Sequence, residues 1–187
     1  MNSNTSKLTY TAMGIVINIV FGTVVSGFKI PLLFLDTIGT IFTAVILGPI
    51  YGMIAGGLTN ILKGLLTNPK SIPFALVNIA VGLIVGIIAK KYKFNIKTAI
   101  MTGSLLAVVA PLIGTPIAIW IYGGITGDGN DFLFLWLQKS GETMFTSAFI
   151  PRITGNIIDK IASCALVSLL LMRLPSSITE KFTVEKA

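Results

Sequence analysis

Lys90-Lys91-Tyr92-Lys93-Phe94-Asn95-Ile96-Lys97 places four lysines in eight positions, with a long apolar run on either side. Ammonium groups resist crossing a bilayer, so a basic cluster between two apolar segments marks a loop kept in the cytoplasm. Counting outward from that loop orients every other segment of the chain. Hydropathy divides the sequence into six apolar stretches, at about 8–26, 34–47, 50–66, 73–89, 98–122 and 143–173.

The composition requires such a reading. Hydrophobic residues make up 53% of the 187 and charged residues only 11%, against roughly a quarter charged in soluble domains. A spanning helix takes about 20 residues, so the length holds about six with short connections. The expectation is an all-α membrane protein, a six-helix bundle occupying residues 1–187 as a single integral domain. The N-terminal apolar stretch has no convincing small-residue cleavage site after it and reads as a retained first helix.

An even number of spans puts both termini on the lysine side. Lys7, Arg173, Lys181 and Lys186 agree with a cytoplasmic assignment, while the outer loops carry Lys29, Lys70 and Lys139 with Asp128, Asp131 and Glu142. The net charge of +7 is explained by this topology and by anionic lipid. No basic stripe with interleaved aromatics points to nucleic acid. Histidine is absent, which removes the commonest metal ligand and general base; neither a metal site nor a cofactor is expected. The single cysteine, Cys164, lies in an apolar run and reads as a small buried residue.

Local chemistry sets the segment ends. Gly48-Pro49 stops the short second helix, and Thr67-Asn68-Pro69-Lys70-Ser71 is turn sequence. Pro111 and Pro116 are positioned to kink the fifth helix. Residues 123–138, with Gly-Asp-Gly-Asn-Asp at 127–131, read as the longest polar loop.

Hydrophilic side chains within the spans identify the interesting region. Asp36, Asn60, Lys63, Asn78, Arg152, Asn156, Asp159 and Lys160 fall on four helices, biased to the outer half of the bundle. Charges in hydrocarbon cost about 2.5–3.5 kcal/mol each on insertion scales, so they face the interior or a wet cavity. Arg152, Asn156 and Asp159 recur at spacings of four and three, on one helix face. Two readings stand: the groups satisfy one another, for example Lys63 with Asp36 or Asp159, or they line a solute pocket open to the exterior. The amides of Asn60, Asn78 and Asn156 donate and accept at once, which suits a neutral polar ligand. Trp120, Tyr122, Phe132, Phe134 and Trp136 read as an interfacial belt, with Trp136 the candidate to close over a flat ligand.

Gly48, Gly52, Gly56, Asn60 and Gly64 recur every fourth position, as do Asn78, Gly82 and Gly86. Small faces of this kind let helix backbones approach closely. Gly14, Asn18, Gly22 and Ser26 repeat the spacing on helix one, as internal packing or as a docking face.

Between Thr11 and Ala89 the residues form a recognisable series: Thr11-Ala12-x-Gly14; Pro31; Leu35-Asp36-Thr37-Ile38-Gly39-Thr40; Leu47-Gly48-Pro49-x-x-Gly52; Thr59-Asn60; and Pro73-Phe74-Ala75-x-Val77-Asn78-x-x-x-Gly82-x-x-x-Gly86. The series resembles the substrate-binding S components of energy-coupling factor (ECF) transporters, which take up vitamins and related micronutrients. The resemblance implies a six-helix bundle in the cell membrane with cytoplasmic termini. It also implies an outward-facing pocket near Asp36, Asn78 and the Arg152–Asp159 face, with the first loop as a lid. It implies partners too: a transmembrane coupling subunit and two ATPase subunits. The docking face would be Ala12-x-x-x-Val16, with Gly14 and Asn18 beside it. Nickel- and cobalt-specific members carry an N-terminal Met-His, and this chain begins Met1-Asn2.

No glycine-rich phosphate loop ending in Gly-Lys-Ser/Thr is present in the sequence, so ATP hydrolysis is expected in partner subunits and the chain is not expected to be an enzyme. Two other classes compete. A six-helix membrane sensor or scaffold would act through protein contacts and bind no small ligand tightly; an intramembrane enzyme would need an acid–base pair such as Asp159 with Glu142.

Overall fold

A computed structural model of the chain describes residues 3–28, 30, 32–127 and 131–174. The described residues form seven α-helices and one 3₁₀ helix: α1 (Ser3–Phe28), α2 (Ile38–Leu47), α3 (Pro49–Leu66), the 3₁₀ helix Pro69–Phe74, α4 (Ala75–Lys91), α5 (Ile96–Tyr122), α6 (Asp131–Lys139) and α7 (Met144–Arg173). Lys29, Pro31, Asp128, Lys181 and Lys186, which entered the sequence reading, lie outside the described residues.

Caps and breakers act where the sequence places them. Gly48, at φ 93°, separates α2 from α3, and Pro49 opens α3. The Asn95 side chain accepts from Thr98 N at the start of α5, and Thr143 accepts from Thr146 N at the start of α7. Gly123 closes α5 in the left-handed conformation. The helix runs through both Pro111 and Pro116.

Two expectations are corrected. The second helix begins at Ile38 rather than near 34, because residues 32–35 are held as an irregular segment with positive φ at Leu32 and Leu35. Residues 131–138, read as part of the polar loop, belong to α6. Asp131 sits in its first turn and accepts from the Thr126 and Gly127 backbone amides. Phe134 and Leu137, three apart, supply the buried side of α6, and the Phe134 ring lies against Gly124. The alternation of Phe and Leu obscured that one-sided helix, which has no internal glycine or proline.

Among the described residues, four helical stretches are long and apolar enough to cross a membrane: Asn4–Phe28, Pro69–Lys91, Ile96–Tyr122 and Met144–Arg173. The ten residues of α2 rise only about 15 Å at about 1.5 Å per residue, half a hydrocarbon core. Eight of those ten residues are buried, so α2 is an internal helix wrapped by its neighbours. It packs on α1, α3, α4 and α7, while α3 lies along α4 and α5 along α7.

The outside and inside of the bundle are inverted relative to a soluble domain. Val16, Leu65 and Met101 lie 58%, 71% and 74% exposed, while Asn18, Asn78, Asp159, Lys160 and several threonines are buried. Lipid would solvate such a surface, and close backbone contact holds such an interior together. A methyl group on Gly82 would meet the Gly52 backbone, one on Gly56 the Asn78 backbone, and one on Gly86 Pro49. The fourfold repeat is therefore the α3–α4 seam. Cys164 is buried in the apolar core with Ile41, Val85, Leu106 and Val167.

Asn18 locks three helices at once. Its Nδ2 donates to Thr40 Oγ1 at 2.8 Å and Thr59 Oγ1 at 3.0 Å. Its Oδ1 accepts from the backbone amides of Gly39 at 2.7 Å and Thr40 at 3.3 Å. Those amides belong to the first turn of α2, where a helix has no internal acceptors, and Thr37 makes no side-chain cap there. Asn18 caps α2 from another helix.

Candidate functional site

Because α4 runs from Ala75 to Lys91, Asn78 lies near one end of the bundle and the lysine cluster at the other. At the lysine end, Gly48 sits against Lys90, and Ser168 Oγ donates to Phe94 O at 3.4 Å. The opposite end is polar and hollow.

Residues 32–37 form a wall of the hollow and are held by α7. Asp159 Oδ1 accepts from the backbone amides of Phe34 at 2.8 Å and Leu35 at 2.7 Å. Left-handed backbone costs roughly 1–2 kcal/mol for an ordinary residue, and a carboxylate accepting two amides offsets such a cost at Leu35, with φ 50°. Lys160 Nζ completes the anchor. It donates to Asp159 Oδ2 at 2.6 Å and Thr37 Oγ1 at 3.2 Å, and lies 3.7 Å from Asp36 Oδ1. Buried charge is tolerated here because every charged atom has an opposite or dipolar partner.

Two cavities meet behind this wall. A terminal cavity of about 510 Å³ is bounded by the C-terminal part of α1, residues 32–36, the end of α3 and Tyr122. A deeper one of about 230 Å³ is lined by Asn60, Phe74, Val77, Asn78, Pro111, Gly114, Arg152, Asn156 and Lys160. Phe34, Asp36, Lys63, Ser71, Tyr122 and Thr126 line both, so the two are continuous. The larger volume falls within the roughly 300–1,000 Å³ common for small-molecule sites.

The lining groups are ordered by one another. Asn78 Nδ2 donates to Asn60 Oδ1, and Asn60 Nδ2 donates to Ser71 O at 3.1 Å. Arg152 donates to Ala148 O at 2.8 Å and Gly124 O at 3.3 Å, while Asn156 Nδ2 donates to Arg152 O at 2.8 Å. Tyr122 receives a hydrogen bond on its hydroxyl from Asn68 at 3.4 Å and carries Lys70 over its ring at 4.8 Å.

The structure thus brings together Asp36, Asn60, Lys63, Asn78, Arg152 and Asn156 around one hollow. Asp159 is fully buried, spends its carboxylate on residues 34 and 35 and on Lys160, and lines neither cavity. Trp136, 57% exposed on α6, lines neither as well and does not close over the hollow. Its neighbour Phe134, not Trp136, is the buried aromatic. Mutual pairing, one of the two readings, has Lys63 with Asp36 or Asp159 as its example; Lys160 rather than Lys63 takes both acids. Glu142 is exposed in the loop before α7 and is not among the partners of Asp159. On α1, Ala12 and Val16 face outward, whereas Gly14 packs on Gly39 and Asn18 is 1% exposed. Those two belong to the interior rather than a docking face. The aromatic lining was missed: Phe34, Phe74 and Tyr122 gave only belt or core signals in sequence.

The model of a family described as ECF transporter, substrate-specific component, matches residues 6–171. The match spans most of the chain, and the chain belongs to that family. It is a multi-pass membrane protein, and its class binds solute rather than catalysing a reaction. No curated protein and no solved structure matches.

Proposed function

Starting from membership of the ECF substrate-specific components, we propose that this chain captures a vitamin or related small organic micronutrient outside the cell. It delivers the solute together with a transmembrane coupling subunit and two ATPase subunits. The observation that carries the reading is the continuous pair of cavities at the end of the bundle away from the lysine cluster. With Lys90–Lys97 on the cytoplasmic side, that end faces outward and both termini lie inside. The six-segment count then treats α2 as a short internal segment and α3 as a span.

Several features favour solute capture over a sensor or scaffold role. A bundle built only for protein contacts gains nothing from a hollow into which Asp36, Asn60, Lys63, Asn78 and Arg152 converge, since each buried polar group there carries a desolvation cost. The substrate-binding residues in this proposal are Asp36, Asn60, Lys63, Asn78, Arg152 and Asn156, joined by Lys160, Phe34, Phe74 and Tyr122. Ala12 and Val16, outward-facing on α1, are the proposed contacts for the coupling subunit.

The test is thermal unfolding of the purified chain against a panel of vitamins, their precursors and nucleosides. A solute at about 100 times its dissociation constant adds about 2.7 kcal/mol, and one panel member is expected to do so. Uptake at full rate by cells holding this chain without a coupling subunit or ATPases would contradict the delivery mechanism.

A further inference from the structure

Three cations line the deeper cavity: Lys63, Arg152 and Lys160. Lys160 is held by Asp159, Asp36 and Thr37, and Arg152 by two backbone carbonyls. Lys63 differs from both. It lines the deep and the terminal cavity alike, and among the described residues its ammonium has no hydrogen-bond or ion-pair partner. The only carboxylate among the described lining residues is Asp36, which stands 3.7 Å from Lys160. Asp159 behind it is spent on the backbone amides of Phe34 and Leu35 and on Lys160, so among the described residues the Lys63 ammonium faces the junction of the two cavities with no ion-pair partner.

We propose that the captured solute is a monoanion, a carboxylic acid whose carboxylate sits against Lys63 Nζ. Its ring or chain would lie in the deep cavity against Phe74, Val77 and Pro111. This deepens the solute-capture reading and rests on it. An ammonium in a cavity with low-dielectric walls is costly while its only partners are waters, and a carboxylate docking there exchanges that cost for a charge-assisted hydrogen bond. One ammonium without an ion-pair partner matches one carboxylate. A phosphate dianion would need a second unengaged donor, and a protonated amine would meet three cations. The Asn60 amide already donates to Ser71 O and the Asn78 amide to Asn60 Oδ1, so the neutral recognition expected from amide content gives way to recognition by charge.

The experiment uses the full chain in lipid nanodiscs, equilibrated with a defined pool and read by mass spectrometry of what is retained. The pool holds nicotinate with nicotinamide, biotin with biotinamide and pantothenate with panthenol. Riboflavin, thiamine, pyridoxine and its phosphate, and a small-metabolite extract of bacterial cells complete it. The retained compound is expected to be a carboxylate that binds at least about tenfold more tightly than its neutral counterpart. Lys63→Gln is then expected to weaken the acid by about 10–100-fold and leave the neutral counterpart unchanged, while Lys63→Arg keeps most of the preference. The unliganded melting temperature of each variant confirms that it folds. Retention of a neutral, cationic or phosphorylated compound in preference overturns the monoanion inference and leaves solute capture standing. Equal weakening of acid and neutral forms by Lys63→Gln overturns it too. A chain that retains nothing sinks the capture reading, and this inference with it.

Discussion

Removing the Asp159 carboxylate tests whether the wall of the cavity is built by α7. In Asp159→Ala the backbone amides of Phe34 and Leu35 lose their acceptor, and Lys160 keeps only Thr37 and a 3.7 Å approach to Asp36. Two charge-assisted bonds at about 1.5–3 kcal/mol each set one scale, and breaking a buried ion pair by about 3–5 kcal/mol sets another. The two overlap, because water entering through the cavity can reach residues 34 and 35, both only half-buried. The expected loss is therefore about 3–5 kcal/mol rather than the sum. Asp159→Asn, which keeps an acceptor but turns a donor toward Lys160, is expected to lose less. Asp159→Leu with Lys160→Met, which removes both buried charges, is expected to fall below Asp159→Ala as well. Reversible unfolding in mixed micelles gives the energies. Hydrogen exchange at the Phe34 and Leu35 amides locates the effect, with protection lost in all variants lacking an oxygen at 159. If Asp159→Ala unfolds within about 0.5 kcal/mol of wild type, the value ordinary for an unimportant surface change, and both amides stay protected, the anchoring argument is wrong.

Asn18→Ala is expected to cost about 2–4 kcal/mol, since the first-turn amides of Gly39 and Thr40 are orphaned at about 1–3 kcal/mol each; the same unfolding assay measures it. Gly82→Leu should separate α3 from α4 at a cost of about 1–3 kcal/mol or more, because the added carbon meets the Gly52 backbone. Gly27→Ala, with open space around it, should be neutral within about 0.5 kcal/mol. Trp136→Ala should leave solute affinity within about twofold of wild type, while Tyr122→Ala should weaken it by about tenfold. Isothermal titration distinguishes the two, and a large loss at Trp136 would contradict its placement outside the hollow.

The periodic parts of this fold were readable from sequence because membrane helices must satisfy their own backbone and so advertise themselves as apolar runs. Gly48-Pro49 and the α3–α4 glycine repeat were equally plain, since each depends on local chemistry or regular spacing. What stayed hidden was set by contacts between distant segments. The start of α2 moved from 34 to 38 because Asp159, more than 120 positions later, holds residues 34 and 35 in a non-helical path. The side of Asn18 that faces inward depends on Thr40 and Thr59, and a spacing of four gives a face without saying what covers it. The convergence of Asp36, Asn60, Lys63, Asn78, Arg152 and Asn156 followed from depth in the membrane, one dimension of position. Which of the polar residues point into the hollow requires the other two.

Polar groups buried in this bundle divide by what their lone pairs and protons are doing. The oxygens of Asn18 and Asp159 are spent on backbone amides that no helix or sheet serves, so these side chains complete the fold and are unavailable to a solute. Asn60, Asn78 and Asn156 use donors on internal carbonyls or on one another, which fixes their orientation while leaving them on the cavity surface. Lys63 comes last in the order, presented to both cavities on a helix whose backbone is locked against α4. The rigid end of that series makes the open end selective: an ammonium on a mobile segment would follow any anion, whereas one fixed at the meeting of two cavities fixes where a solute's charge must lie. On this argument the Asp159 anchor and the Lys63 preference are coupled. Loosening residues 32–37 should then erode the discrimination between acid and neutral solutes before it abolishes binding.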